Sequence, residues 1–316
     1  MSRPKTTRKR TAGWLLLVGL LALGIGRGVA AEPPVSLRDA SWTWGYVIPG
    51  KIPGPAPFVF PGPSSCSLET AATYLGTPNV VLMNSQWSAP GHLERLTHCK
   101  RVLCAISIRN PAEAARLSAF SKKFPNVVGA MIDDFFPVEE KLTVEQVKRL
   151  STALKSENPA LKLYVVRYTH SKDEELLPYL PSIDVINLWV WKGSKEEWTA
   201  KMDDRIARLT ALTHKPIVLG LYLHDYGVPP PDKTPRPAWS WTKPLALDIL
   251  ETQFVKTAEL LRGGKIEGFI ILQNGWLDHE AHRPQVQWTK QYLDWLFQTQ
   301  TIRGGEPAAL LQGGKS

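Results

Sequence analysis

The sequence predicts an α/β chain folded as a single (β/α)8 TIM barrel, and three observations predict it. Eight apolar runs of strand character recur along the chain, helical patterns with readable caps lie between them, and two Pro- and Gly-rich connections each follow a strand. Eight strand–helix units in the about 285 residues past Ala31 match the length of one closed barrel. An open doubly wound sheet fits less well, because no Gly-rich phosphate loop follows the first strand.

Residues 1–31 read as a signal peptide outside the fold. Arg3, Lys5, Arg8, Lys9 and Arg10 form a basic leader, Trp14 to Ile25 is apolar, and Val29-Ala30-Ala31 offers small residues for cleavage before Glu32. The apolar run is short for a membrane span, so an uncleaved anchor is the lesser reading. The expectation is a secreted or periplasmic protein, with the barrel over residues 32–302 and a disordered tail over 303–316. Export also changes the charge argument. The whole chain carries +9, but six of its 38 basic residues and no acids precede Glu32, which leaves 32 basic residues against 29 acidic ones. That small excess makes no case for nucleic acid or an anionic membrane as partner. Cys66, Cys99 and Cys104 are too few for a disulfide scaffold, and although one pair could close in an oxidising compartment, spacing does not name it.

The strand runs in order are Ser41–Ile48, Asn79–Met83, Arg101–Ile108, Val127–Asp133, Lys162–Tyr168, Asp184–Trp191, Pro216–Leu223 and Ile266–Leu272. Asn110-Pro111 opens one helix, Thr143-Val-Glu-Gln146 and Ser194-Lys-Glu-Glu197 read as capping boxes, Gly263-Gly264 closes the longest helix, and Gln285–Thr299 is the last. The long connections, Pro49–Ser65 and Gly227–Pro244, follow strands one and seven and so belong to the C-terminal face, where active sites of this fold lie. The second carries Trp239 and Trp241, either a substrate platform or a fastening for the loop.

The strand ends carry the chemistry. Strand four ends in Asp133-Asp134, five in Arg167-Tyr168, six in Trp189-Val-Trp191, seven in Tyr222-Leu-His224-Asp225 and eight in Gln273-Asn274-Gly-Trp276. Alternation puts Asn187, Trp189 and Trp191 on one face, and Tyr222 with His224. Such a row suits a sugar site, where rings stack on pyranoses and amides or carboxylates bond hydroxyls. Adjacent aspartates on a regular strand would face opposite ways, but Phe135-Phe136-Pro137 ends the strand there, and two carboxylates forced together raise at least one pKa. The alternative is structural: one Asp caps the loop while the other pairs with Arg167 or a lysine.

Val127-Val-Gly-Ala-Met-Ile-Asp133-Asp134-Phe resembles the strand-four motif of the O-GlcNAcase and bacterial hexosaminidase family, glycoside hydrolase family 84. The resemblance implies that Asp133 orients the substrate's 2-acetamido nitrogen and Asp134 is the general acid/base, with the sugar's own carbonyl as nucleophile. Ile183–Trp191, Val218–Tyr222 and Gly268–Gln273 are similar to strands six to eight of family 18 chitinases, but the position of that family's catalytic Glu holds Phe135. The implied substrate is an oligo- or polysaccharide, and the implied reaction retaining hydrolysis. A neutral sugar would need a second carboxylate, for which Asp225 is the strand-end candidate. No cofactor or metal is expected: strand one offers Trp42-Thr-Trp44 where a metallohydrolase would place two His, His279-Glu-Ala-His282 has the wrong spacing for a zinc helix and reads as surface histidines, and no nucleophile elbow is present. His224-Asp225 reads equally as a catalytic aid or a structural pair. The competing function is a lectin-like barrel that binds carbohydrate without turnover; a barrel whose cleft binds peptide is a third.

Overall fold

The computed structural model describes residues 36–47, 64–191, 193–227 and 242–298. The signal-peptide and tail expectations, Trp239, Trp241 and most of the Pro49–Ser65 connection lie outside them.

The eight strands close on themselves, in the positions the apolar runs indicate and with slightly tighter bounds. Strands β1 (Ser41–Gly45), β2 (Asn79–Leu82), β3 (Arg101–Ala105), β4 (Val127–Ile132), β5 (Lys162–Tyr168), β6 (Val185–Trp189), β7 (Ile217–Tyr222) and β8 (Gly268–Leu272) pair in parallel in chain order. β1 then pairs with β8, Ser41 beside Phe269 and Trp44 beside Leu272, which completes the ring. Closure is the physical reason for the near-continuous apolar runs: a strand between a filled interior and a helical layer meets no water on either face. Val80, Val81, Leu103, Val165, Leu219 and Ile270 are accordingly all buried.

The outer layer is less regular than one helix per strand. Helices α1 (Leu68–Leu75), α2 (Pro111–Lys123), α3 (Val144–Leu154), α4 (Met202–Thr213), α5 (Leu247–Arg262) and α6 (Arg283–Gln298) follow β1, β3, β4, β6, β7 and β8. After β2 the chain makes two short 3-10 turns, Gln86–Ser88 and Glu94–Leu96, and after β5 a 3-10 segment, Asp173–Ser182. Pro178 and Pro181 explain the second exception, since each lacks the N–H an α-helix needs and clashes with the preceding turn. Of the expected capping boxes, Thr143 is complete: its hydroxyl accepts from the Gln146 N–H at 3.2 Å, and Gln146 Oε1 accepts from the Thr143 N–H at 2.7 Å. Ser194 forms only half, because Glu197 turns to Lys201 and the chain enters α4 through a π-helical turn over Glu197–Lys201.

All three cysteines are free and buried. Burial pushes the Cys66 and Cys99 thiols up to about 11 and the Cys104 thiol up as well, so they pack as small apolar groups and not as nucleophiles. Among the described residues no helix is long and apolar enough to cross a membrane.

Candidate active site

β4 ends at Ile132, one residue before the aspartates, and Asp134 stands in the left-handed region at φ 48°. That conformation breaks the strand's alternation, so Asp133 and Asp134 both line one cavity of about 280 Å³ at the C-terminal mouth of the barrel. Aspartate tolerates the left-handed region better than most residues, because its side chain can bond nearby backbone. Here the Asp134 N–H donates to Asp133 Oδ1 at 3.0 Å. The chain then bonds back to β5, the Phe135 N–H donating to the Val166 carbonyl at 3.1 Å.

Electrostatics separate the two carboxyls. Asp133 is solvent-exposed at the cleft mouth, yet the protein around it still desolvates it; that first, and the neighbouring Asp134 charge second, raise it from the usual 3.8 to about 7, with the Asp134 N–H opposing and the exposure moderating the rise. Water in the cleft tempers that cost without removing it. Asp134 instead receives the Tyr168 hydroxyl, Oη donating to Oδ1 at 2.5 Å. Tyr222 is hydrogen-bonded to Tyr168 in turn. Burial pushes Tyr46, Tyr168 and Tyr222 well up from the ordinary phenol value and Tyr226 up to about 12. Four neutral phenols therefore face the two carboxyls.

The aromatic floor is built by close approach of strands. Trp189 meets Trp44 edge-on at 5.6 Å between centroids and leans on Tyr222 at 4.8 Å. Its indole lies over Gly220 of β7, where an added Cβ would sit 1.8 Å from the ring. Gly45 is packed similarly beneath Asn274. Gln273, buried and lining the cleft, holds Tyr226 through a side-chain hydrogen bond, while its Oε1 finds no partner among the described residues. A buried acceptor in a cleft wall suits a ligand N–H or O–H.

Of the residues predicted for the site, Asp133, Asp134, Tyr168, Trp189, Trp191, Tyr222 and Gln273 come together around the cleft. The others do not line it, and their bonds say why. Arg167 is buried, with Nη1 donating to the Phe135 carbonyl at 2.6 Å and Nη2 to Glu175 at 3.0 Å, so it anchors the turn after the aspartates and pairs with neither. Asn187 lies a layer lower, bonding the Val218 carbonyl at 3.0 Å and accepting from Trp189 Nε1 at 2.7 Å. Trp189 is itself only 2% exposed, a floor and not an open stacking face. Asn274 bonds the Tyr46 backbone in both directions and donates to the Cys66 carbonyl. Asp225 closes a turn by accepting from the Gly227 N–H at 2.9 Å. His224 stacks on Trp276 at 4.2 Å and bonds His282 at 2.8 Å, which removes His282 from the surface where the sequence put it: it is 1% exposed.

Trp44, Tyr46, Asn84, Val166, Tyr226 and Leu272 also line the cleft without having been predicted. For two of them the signal was present: the alternation that selects Trp42 and Trp44 on the first strand continues to Tyr46. Asn84 and Tyr226 lie past strand ends, where alternation carries no information.

The fold and the site together define a (β/α)8 barrel with a carboxylate pair in an aromatic mouth. No family model matches the chain, and neither does any curated protein. Among solved structures it is similar to a protein of Bacteroides thetaiotaomicron provisionally named an alpha-L-fucosidase, with TM-score 0.52 and 9% identity over 93% of this chain and 99% of that one. It also matches a beta-D-glucuronidase of Dictyoglomus thermophilum, with TM-score 0.48 and 12% identity over 71% of this chain and 46% of that one. The tryptophan synthase alpha-subunit of Pyrococcus furiosus matches with TM-score 0.43 and 12% identity over 84% of this chain and all of that one. At such identities the likeness is one of fold, and the two lower scores carry nothing further.

Proposed function

We propose that this protein is a glycoside hydrolase that acts on a glycan containing an N-acetylhexosamine, by a retaining mechanism centred on Asp133 and Asp134. The observation that carries the reading is the carboxylate pair itself: two acids on one side of an aromatic cleft, one raised by desolvation and its neighbour's charge and the other held by a phenol. No other carboxylate among the described residues lines the cleft. A neutral sugar would require an enzymic nucleophile, and Asp225 is occupied in its turn. A substrate that supplies its own acetamido carbonyl requires none.

In the proposed reaction Asp133 donates its proton to the leaving glycosidic oxygen as the C–O bond breaks and the acetamido oxygen closes on the anomeric carbon. Asp134, oriented by Tyr168, accepts the substrate N–H. Water then opens the cyclic intermediate, returning a proton to Asp133. This assignment reverses the roles implied by the family 84 resemblance, because Asp134 is already held by the Tyr168 hydroxyl while desolvation and the neighbouring charge raise Asp133. The test is release of 4-nitrophenol from a panel of aryl glycosides that includes the N-acetylglucosaminide, by the wild type, Asp133→Asn and Asp134→Asn. Each variant is expected to lose 10²–10⁴-fold, as is typical for a general acid or its partner. A 2,4-dinitrophenyl leaving group, which needs little acid assistance, is expected to rescue Asp133→Asn and not Asp134→Asn; rescue of Asp134→Asn alone restores the roles of the resemblance.

A barrel that binds sugar without turnover is the second reading, and Phe135 favours it: at the position of the chitinase Glu, this side chain is buried edge-on against Tyr179, 5.7 Å away, and out of the cleft. No product from any aryl glycoside or polymer, with sugar affinity intact in Asp134→Asn, would establish it. Export belongs to the same proposal, and a mature protein beginning at Glu32 would support it.

A further inference from the structure

Beyond Trp191 the C-terminal face holds a second cavity, about 580 Å³ against about 280 Å³ for the cleft. The two share the Trp191 side chain as a wall. On the β5 side they are joined by a stack of rings, with His170 of the second cavity lying on Tyr168 at 5.4 Å and 17°, and the Tyr168 hydroxyl holding Asp134. The trough therefore begins one ring away from the acid pair.

Its chemistry differs from that of a charged-ligand site. Lys201 is paired with Glu196 and Glu197, both at 2.9 Å, and Arg205 and Arg208 with Asp173 at 3.3 and 3.4 Å. The cations have acids of their own, so no excess charge calls for an anion. What remains is Trp191 and His170 lining the trough together with Thr169, Ser194 and paired charged side chains that can bond hydroxyls, a combination that takes a neutral polyhydroxyl ring. A second observation points the same way. Part of the lining is the π-helical turn Glu197–Lys201, which contributes Glu197, Ala200 and Lys201. Such turns cost regular hydrogen bonds and recur at functional sites.

We propose that the trough is a second sugar subsite: it takes a neutral pyranose unit adjoining the one held at the aspartates, so that the substrate is an oligosaccharide spanning Trp191. The inference rests on the carbohydrate reading of the cleft and extends it to substrate length.

The test is isothermal titration calorimetry of the whole protein with N-acetylglucosamine and its oligomers of two to four units, and with the glucose series in parallel. Ala200→Phe fills the trough from an exposed position of the turn, and its melting temperature verifies folding; Trp191→Ala removes the shared wall. In one series the Asp133→Asn protein, used so that the oligomers are not turned over, is expected to bind the trimer at least tenfold more tightly than the monomer, with that increment lost when either trough variant is added. Monomer binding without an increment, or an increment that persists in folded Ala200→Phe, overturns the subsite and leaves the hydrolase reading standing. No binding in either series overturns the subsite and the carbohydrate reading together.

Discussion

Asp134 occupies the left-handed region at φ 48°, and this single residue converts two side chains that a strand would send to opposite faces into a pair. Asn shares Asp's tolerance of that conformation, so Asp134→Asn is expected to melt within a few degrees of the wild type while losing turnover, whereas Asp134→Val loses both. Asp133 makes a pH-dependent prediction. Its folded value, about 7, lies above the ordinary 3.8, so the folded state binds the extra proton between those values and the contribution of this group to stability falls as pH rises through that window. Asp133→Asn is therefore expected to raise the melting temperature at pH 8 relative to the wild type. With the water in the cleft screening the charge, the gain is about 1 kcal/mol, or roughly 2–4 °C. A lower melting temperature at pH 8 would contradict the raised value. In activity, the same proton predicts a basic limb above pH about 7 that disappears in the variant.

Between elements, the site depends on contacts that never touch a ligand. β6 delivers Trp189 to the floor only because β7 has glycine opposite, and Gly220→Ala is expected to cost at least about 2 kcal/mol, read by denaturant unfolding, as the indole is driven out of its place. The turn after β4 is tied to the 3-10 segment by Arg167, whose loss strands Glu175 and frees the Phe135 carbonyl. Arg167→Met is expected to destabilise by about 3 kcal/mol and to lower turnover through the displaced aspartates, while the double variant with Glu175→Gln recovers part of the stability. Equal losses in the single and double variants would show that the ion pair contributes nothing and that the carbonyl contact alone positions the turn.

For the whole molecule, the buried histidines set the response to acid. Desolvation first, and then neighbouring imidazoles, lower His224 from 6.5 to about 4 and His282 to about 3, and His282 also bonds His279 at 3.2 Å. The unfolded chain binds these protons before the folded one does, so their stability is fully present above pH about 6.5 and is lost as pH falls toward 4 and 3. Asp133 slopes the opposite way over part of that range, but two histidines outweigh one carboxyl. The melting temperature is expected to fall between pH 6.5 and 4, and the slope to flatten in the His224→Gln, His282→Gln double variant, whatever its absolute stability. An unchanged slope would mean that the histidines open to solvent.

Composition and period alone determined the barrel. A strand buried on both faces must be apolar throughout, and eight such runs at barrel spacing leave few alternatives; β5 spans Lys162–Tyr168 as its run predicts, and the Thr143 cap closes as its spacing requires. The aspartates, Tyr168 and the aromatic strand ends were legible for the same reason, since their address follows from strand polarity. Tertiary structure decided the rest. Whether Arg167, Asn187, His224 or Asn274 meets a ligand or another protein group depends on what the fold brings beside it, and the deciding partners, Phe135, Val218, His282 and Tyr46, lie 31 to 228 residues away in the chain. Local pattern has no access to such distances. The split between the carboxyls belongs to the same level, because desolvation at Asp133 and the Tyr168 hydroxyl at Asp134 arise only once β4 and β5 are brought side by side.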